Sequence, residues 1–294
     1  MESGEAAGTR KHSFGLAIAA AGGVRGVPET IAKMGALEVR LASKSSEVRA
    51  AQKLRYRVFF DEGGALAAPI VRVIRRDVCR FDRVCDHLIV VDVSAHAADG
   101  APAVVGAYRL LRQDVAEAHF GFYSAREFEV GALIARHPAK RFLELGRSCV
   151  ADGYRGRRAL ELLWRGIWAY ALRHRIDAMF GCASFPGADP RAHAAALALL
   201  RGEGAIEPEW CVDAIGALAA EAPPAPPLDP RAALRALPPL IKGYWRLGAK
   251  FSRQAVVDPT FGTTDVLAVL PIEAIRSRYL EHFAPRNETG PLAA

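Results

Sequence analysis

From Leu37 onward the chain alternates between two hydrophobic periods. Glu47 to Phe60 places Val48, Ala51, Leu54 and Val58 at helical spacing, with Arg49, Lys53 and Arg57 on another face. Leu88–Val93 and Ala103–Leu111 are rich in β-branched residues and separated by a polar Gly/Asp turn, so they predict neighbouring antiparallel strands. Arg141–Val150 predicts another strand, with Phe142, Glu144 and Gly146 on one side and Leu143, Leu145 and Arg147 on the other. The clearest helix follows the Asp152-Gly153 turn: Arg157–Arg173 carries an apolar stripe of Leu160, Trp164, Ile167, Trp168 and Ala171. Ala178–Phe185 reads as a buried strand and Asp189 as the cap of an Ala/Leu-rich helix. A Pro-rich bridge over 221–230 leads to a last strand, Thr264–Leu270, and a short helix. The order predicts an α/β fold around a mixed central sheet flanked by helices, with a C-terminal elaboration.

Residues 1–36 read differently. The apolar run Phe14–Ala21 behind Arg10 and Lys11 is short and mostly Ala, and it ends at Gly22-Gly23. It is too short for a membrane span, which needs about 20 apolar residues, and no such run occurs anywhere in the chain. The expectation is a poorly ordered extension over 1–36 and one folded domain over 37–294.

Composition adds two constraints. Hydrophobic residues make up 51% of the 294, enough for a substantial core. Five cysteines, an odd number, favour free thiols in a cytoplasmic setting over a disulfide framework. Cys79, Cys85 and His87 lack the spacing of a zinc knuckle, so no metal is expected. Net charge is +7, which suits an acidic partner without choosing one. No dinucleotide loop, Walker loop, nucleophile elbow, HExxH helix or nucleic-acid motif occurs, and no nucleic-acid partner is expected.

Three constellations could carry chemistry. Glu144-Leu145-Gly146-Arg147 sits near a strand's carboxyl end, before a helix N-terminus. Tyr154–Arg175 holds six arginines against one acid, Glu161, with Arg155, Arg157 and Arg158 at the mouth of the helix. A scatter of acids, Asp61, Asp77, Asp82, Asp258 and Asp265, could meet in one cleft. The lone histidines, His87, His137, His174 and His193, are expected at the surface or satisfied in the core.

The stretch ELGRSCVADGYRGRRALELLWRGIWAY resembles the acyl-donor core of GNAT-type N-acyltransferases. Arg158 and Leu160 stand where the usual pyrophosphate loop has small residues. That departure suits the phosphopantetheine arm of an acyl carrier protein better than CoA, with no bound cofactor. The spacing Arg55-x-x-Val-Phe59, Phe81-Asp82, Gly106-x-x-Arg109 and Glu144-x-x-Arg147 is similar to that of acyl-homoserine-lactone synthases, although their following tryptophan is absent. The blocks from Leu162 to Pro190 and from Leu237 to Pro271 resemble the bacterial L-ornithine Nα-acyltransferases of ornithine lipid synthesis, a likeness running from about Leu41 to Phe283.

The resemblance implies transfer of a 3-hydroxyacyl group from acyl carrier protein to the α-amine of L-ornithine, giving lyso-ornithine lipid. Its implied site has Glu144 as base, with Arg147 as its companion catalytic position. Arg55 or Arg147 would hold the acceptor's carboxylate, Arg109 would complete the polar site, and Asp82 or Asp265 would pair with the side-chain ammonium. Amides near Cys149 and Val150 would receive the thioester, and Arg155, Arg157, Arg158, Arg165 and Arg173 would dock the acidic carrier. An acyl-enzyme on Cys149 is a rival route. A lipid product also implies peripheral contact of a cytoplasmic enzyme with the inner membrane. A CoA-dependent acetyltransferase, a lactone synthase and a non-catalytic basic binding protein are the alternative functions.

Overall fold

The computed structural model describes residues 30–97, 100–202, 207–216, 219–220 and 229–275. The strands are β1 (Thr30–Met34), β2 (Leu37–Leu41), β3 (Asp86–His96), β4 (Pro102–Arg112), β5 (Phe142–Val150), β6 (Ala178–Pro186), β7 (Ala219–Ala220), β8 (Lys250–Phe251), β9 (Ala255–Asp258) and β10 (Thr263–Pro271). The α-helices are α1 (Ser45–Tyr56), α2 (Pro69–Ile74), α3 (Gln113–Ala118), α4 (Val130–Arg136), α5 (Arg157–His174), α6 (Ala194–Gly202), α7 (Pro230–Ala236) and α8 (Pro239–Leu247). Nine of the strands follow the order β1-β2-β3-β4-β5-β6-β10-β9-β7, and β8 also pairs with β10. Among the described residues only β5 and β6 pair in parallel, with α5 connecting them, so the sheet is mixed as expected.

Strand periodicity divides the core into two faces. Leu143 and Leu145 of β5, Met179 of β6 and Val266, Ala268 and Leu270 of β10 join the larger apolar cluster, which takes in α5, α6 and α8. Their alternate neighbours Phe142, Ala178, Phe180, Leu267 and Val269 join the smaller one, with Leu133 of α4 and Ala116 of α3. A one-residue slip would exchange these sets, so the alternation fixes the register.

Helix α5 buries a wider face than its expected stripe. Trp164, Ile167 and Ala171 of that stripe are buried together with Ala159, Leu162, Leu163 and Tyr170, whereas Leu160 and Trp168 are half-buried. Gly166 sets the rotation: a Cβ there would stand 2.8 Å from Leu88 Cδ1 and 2.9 Å from Val39 Cγ2. Its bare backbone lets the helix seat on β2 and β3.

Two expectations need correction or restriction. The folded sheet begins before Leu37, because β1 forms a hairpin with β2 through Gly35 at φ 63. A strand that short lacks a clear period-2 signal, and its pairing partner creates it. Asp189 caps a 3-10 turn, Pro190–His193, that runs into α6. The run Phe14–Ala21, most of the Pro-rich bridge and all of the C-terminal segment after Ile275 lie outside the described residues.

Candidate active site

The site begins where β5 and β6 part. Their pairing runs Phe142–Ala178, Leu143–Met179 and Glu144–Phe180, then stops. At the next position the carbonyl oxygen of Leu145 comes within 2.2 Å of where a Cβ on Gly181 would be. On its other edge β5 shifts register against β4: Gly146 faces Arg109, but Cys149 faces Ala107. The extra residue is a β-bulge at Arg147–Ser148, and Arg147 sits at φ 53. A non-glycine residue in this left-handed region costs on the order of 1–3 kcal/mol and needs local support.

Arg147 has that support. Its Nε donates to Asp77 Oδ2 (3.2 Å) and its Nη2 to the Tyr123 hydroxyl (3.4 Å). The guanidinium lies over the rings of Phe261 (4.6 Å) and Tyr123 (4.8 Å). Burial alone would lower its pKa, but Asp77 and the Tyr123 hydroxyl raise it, so the cation is secure.

The separation opens a cavity of about 330 Å³. Residues 144–148 of β5 form one wall, with Tyr108 and Arg109 of β4 and the Tyr123–Ser124 turn. Cys182, Ser184 and Pro186 of β6, together with Asp258, Phe261, Thr263 and Asp265 around the β9–β10 turn, form the opposite one. Val58, Phe59, Leu240 and Tyr244 supply apolar surface. Val58 and Phe59 come from Arg57–Glu62, a π-helical turn that continues α1; such turns are frequent at functional sites.

Of the residues expected at the site, Glu144, Arg147, Arg109 and Asp265 line this cavity. The Glu144 carboxylate accepts from Tyr123 N (2.9 Å), Ser124 N (2.7 Å) and Ser124 Oγ (2.5 Å). Burial pushes its pKa up, against the lowering by the Ser124 and Tyr123 donors. Arg109 Nη1 donates to Cys79 Sγ (2.8 Å) and reaches Asp82 Oδ1 at 3.4 Å.

Arg55 and Asp82, expected as substrate contacts, stand outside the cavity lining and are bonded to each other. Arg55 donates through Nε to Asp77 Oδ2 (2.8 Å), and through Nη2 to the Asp77 carbonyl (2.5 Å) and both Asp82 oxygens (2.9 Å each). Its donors are spent on carboxylates that in turn orient Arg109 and Arg147. Burial would raise the Asp82 pKa, yet Arg55 and Arg109 hold it at about 2.

Cys149 and Val150 stand just beyond the part of β5 that lines the cavity. They pair with Ala107 and Gly106 of β4, and the cavity wall ends at Ser148. Burial pushes the Cys149 thiol up to about 12, which leaves it almost wholly un-ionised. A plain two-residue alternation does not anticipate the bulge just before these two residues.

The arginine-rich loop and helix are partly spent on neighbours. Arg155 donates to Glu62 and to Asp152 (3.1 Å), and Arg165 is a largely buried partner of Glu161 (2.9 Å). Arg158 is exposed, while the side chain of Arg157 lies outside the described residues. Gly156 caps α5 with no side-chain bond to its first amides.

The scattered acids divide three ways. Asp77 and Asp82 serve the arginines, Asp258 and Asp265 line the cavity, and Asp61 pairs with exposed Arg75 at 2.6 Å. His87 is a satisfied core group, its Nε2 3.0 Å from the Asp82 carbonyl. Sequence reasoning missed Tyr123, Ser124, Phe261 and Glu127. They come from short irregular segments with no periodicity, and only the tertiary fold brings them to the cavity wall or just behind it.

An acetyltransferase (GNAT) domain family model matches residues 54–165. A protein of Rhizobium meliloti (strain 1021) named L-ornithine N(alpha)-acyltransferase is 52% identical over 257 residues, 87% of this chain and 86% of its own length. Relatives of the same name from Brucella abortus (strain 2308) and Rhodobacter capsulatus are 48% and 39% identical. Their alignments cover 86% and 85% of this chain, and 90% and 96% of theirs. Among solved structures, FeeM, an N-acyl amino acid synthase from uncultured soil microbes, superposes with a TM-score of 0.46. It is 12% identical and the match covers 85% of this chain and 98% of that one.

Proposed function

The chain belongs to the L-ornithine N(alpha)-acyltransferase family, and from that premise we propose that it transfers a 3-hydroxyacyl group from acyl carrier protein to the α-amine of L-ornithine. The product is then lyso-ornithine lipid. The observation that carries this reading is the cavity at the β5–β6 separation, with Arg147 held over it and Glu144 closed onto Ser124 at its wall.

In this reading the acceptor's α-carboxylate docks on Arg147, whose guanidinium is fixed through Nε to Asp77 and Nη2 to Tyr123. The amine must lose a proton before it attacks. Ser124 lines the cavity and donates to Glu144, so the proton passes to the Ser124 oxygen while the Ser124 proton moves to Glu144. The amine nitrogen bonds to the thioester carbonyl carbon, the C–S bond breaks, and the second proton that the nitrogen loses goes to the departing pantetheine thiolate. The carbonyl oxygen lies against the β5 backbone at Gly146–Ser148, beyond the last β6 pair. The open amides at the start of α5, with exposed Arg158 beside them, suit the phosphate of a phosphopantetheine arm.

Purified protein incubated with ornithine and either 3-hydroxyacyl carrier protein or acetyl-CoA tests the reading. Mass spectrometry should find N-acylornithine from the carrier-bound donor and little acetylornithine. Preference for acetyl-CoA, or no acylornithine from either donor, would overturn it.

Peripheral membrane contact is part of the same reading. On and beside α2, Leu66, Ile70 and Val73 are 69%, 62% and 79% exposed, with Arg72 and Arg75 exposed among them. Leu66 N bonds the Thr260 carbonyl (2.7 Å), next to Phe261 of the cavity wall. An apolar, basic lip at the cavity suits an anionic lipid surface and a short path for an amphiphilic product.

A further inference from the structure

The cavity wall formed by β6 and the β9–β10 turn holds a group of side chains that the acyl-transfer step does not use. Asp265 of β10 is 5% exposed, lines the cavity, and its Oδ1 has no hydrogen-bond partner. The hydroxyls of Thr263, two residues earlier on the same wall, and of Ser184 on β6 stand near the Asp265 carboxyl, but neither makes a well-formed hydrogen bond to Oδ1. Glu127 stands behind this wall and accepts from the Cys182 thiol (Sγ to Oε2, 3.3 Å). Ligand atoms of Glu127, Cys182 and Asp265 all lie within 4.8 Å of one another. Asp258 also lines the cavity.

Orphaned buried acceptors are costly, and a fold keeps them where a ligand supplies the missing donors. Here the missing partner is a cation with several N–H donors, in a pocket that Arg147 also lines. We infer that Asp265 and Glu127 form the receptor for the acceptor's side-chain ammonium, which makes this pair the element that selects a diamino acid. The inference rests on the acyltransferase reading and adds to it the reason for a basic side chain. An ammonium offers three donors, enough for the Asp265 carboxylate, the Thr263 hydroxyl and the Glu127 side of the pair.

The empty pair keeps two acids from ionising freely. Burial and the charge of Asp265 push Glu127 up to about 7, and burial raises Asp265 against nearby Ser184 and Thr263. An arriving ammonium favours the ionised forms, so binding should release a proton from the pair near neutral pH. Asp258 adds negative charge to both acids, while Arg147 and Arg126 offset it.

The test compares ornithine with norvaline, which has the same carbon chain and no side-chain amine, on the wild type and on Asp265→Asn and Glu127→Gln. Wild-type kcat/KM should favour ornithine by about 100-fold or more. Each substitution should raise the KM for ornithine about 10–100-fold with a smaller change in kcat, and the preference over norvaline should collapse. Asp265→Asn should melt at or above the wild-type temperature, since it replaces a buried acid whose Oδ1 has no partner. Ornithine KM should also rise as pH falls below about 7, less steeply in Glu127→Gln. Equal losses for both acceptors, or an unchanged preference, would overturn the inference. Stoichiometric binding of Zn²⁺ or Mn²⁺ that Asp265→Asn abolishes would also overturn it, in favour of a metal site. A wild type that acylates no ornithine would instead refute the acyltransferase reading, so the two failures are separable.

Discussion

The hydroxyl of Ser124 donates to Oε1 of Glu144 across 2.5 Å, joining a serine on an irregular turn to a carboxylate on β5, 20 residues later in the chain. This contact connects the buried acid to the cavity. Glu144→Gln should lower kcat about 100-fold or more, and Ser124→Ala somewhat less. Because burial raises the Glu144 pKa, the acidic limb of the wild-type rate profile should lie above the ordinary carboxylate range. Steady-state kinetics across pH check both, and near-normal turnover in Glu144→Gln would remove the proton-accepting role.

Gly181→Ala should be severely destabilising. Its Cβ would meet the Leu145 carbonyl oxygen at 2.2 Å, and a backbone atom in a paired strand cannot move aside cheaply. The cost should be about 3 kcal/mol, read as a fall of several degrees in Tm. An unchanged melt would mean that β5 and β6 separate earlier than described.

Acid should unfold the arginine cluster in a definite window. The folded pKa of Asp82, about 2, is depressed below its ordinary value of 3.8. Its contribution, about 2 kcal/mol, is therefore complete above pH ~4 and is lost as pH falls toward 2. Asp82→Asn should remove this slope and lower stability at neutral pH, because Arg55 would be left short of a partner. Denaturant titrations at pH 2–7 measure it.

Cys149→Ala should leave acyl transfer nearly intact. The thiol is buried in β5, pairs at Ala107 and is pushed up to about 12. A burst of acyl-enzyme that vanishes in this variant would establish the covalent route instead.

Changing Leu66, Ile70 and Val73 together to Ser should abolish cosedimentation with vesicles rich in anionic lipid. Soluble turnover with a short-chain carrier-bound donor should change little, since all three are exposed. Equal sedimentation of both proteins would remove α2 from the membrane face.

Periodicity alone determined much of the fold. The alternation in β3, β4, β5, β6 and β10 and the long amphipathic run of α5 are local patterns, and they predict the strands and the helix to within a few residues. The motif residues Glu144, Arg147 and Arg109 were legible for a related reason, since their spacing is carried along strands whose geometry is regular, whereas Asp265 was one of a scatter of acids that no spacing brings together. The tertiary structure decided which polar groups face substrate. Arg55 and Asp82 read from sequence like contacts, yet burial pairs them with each other. Ser124 and Glu127 carry no local signal and reach the site or its edge only because an irregular turn folds against β5 and β6. Charge pairing and strand divergence are set by groups far apart in the chain, so no window of sequence contains them.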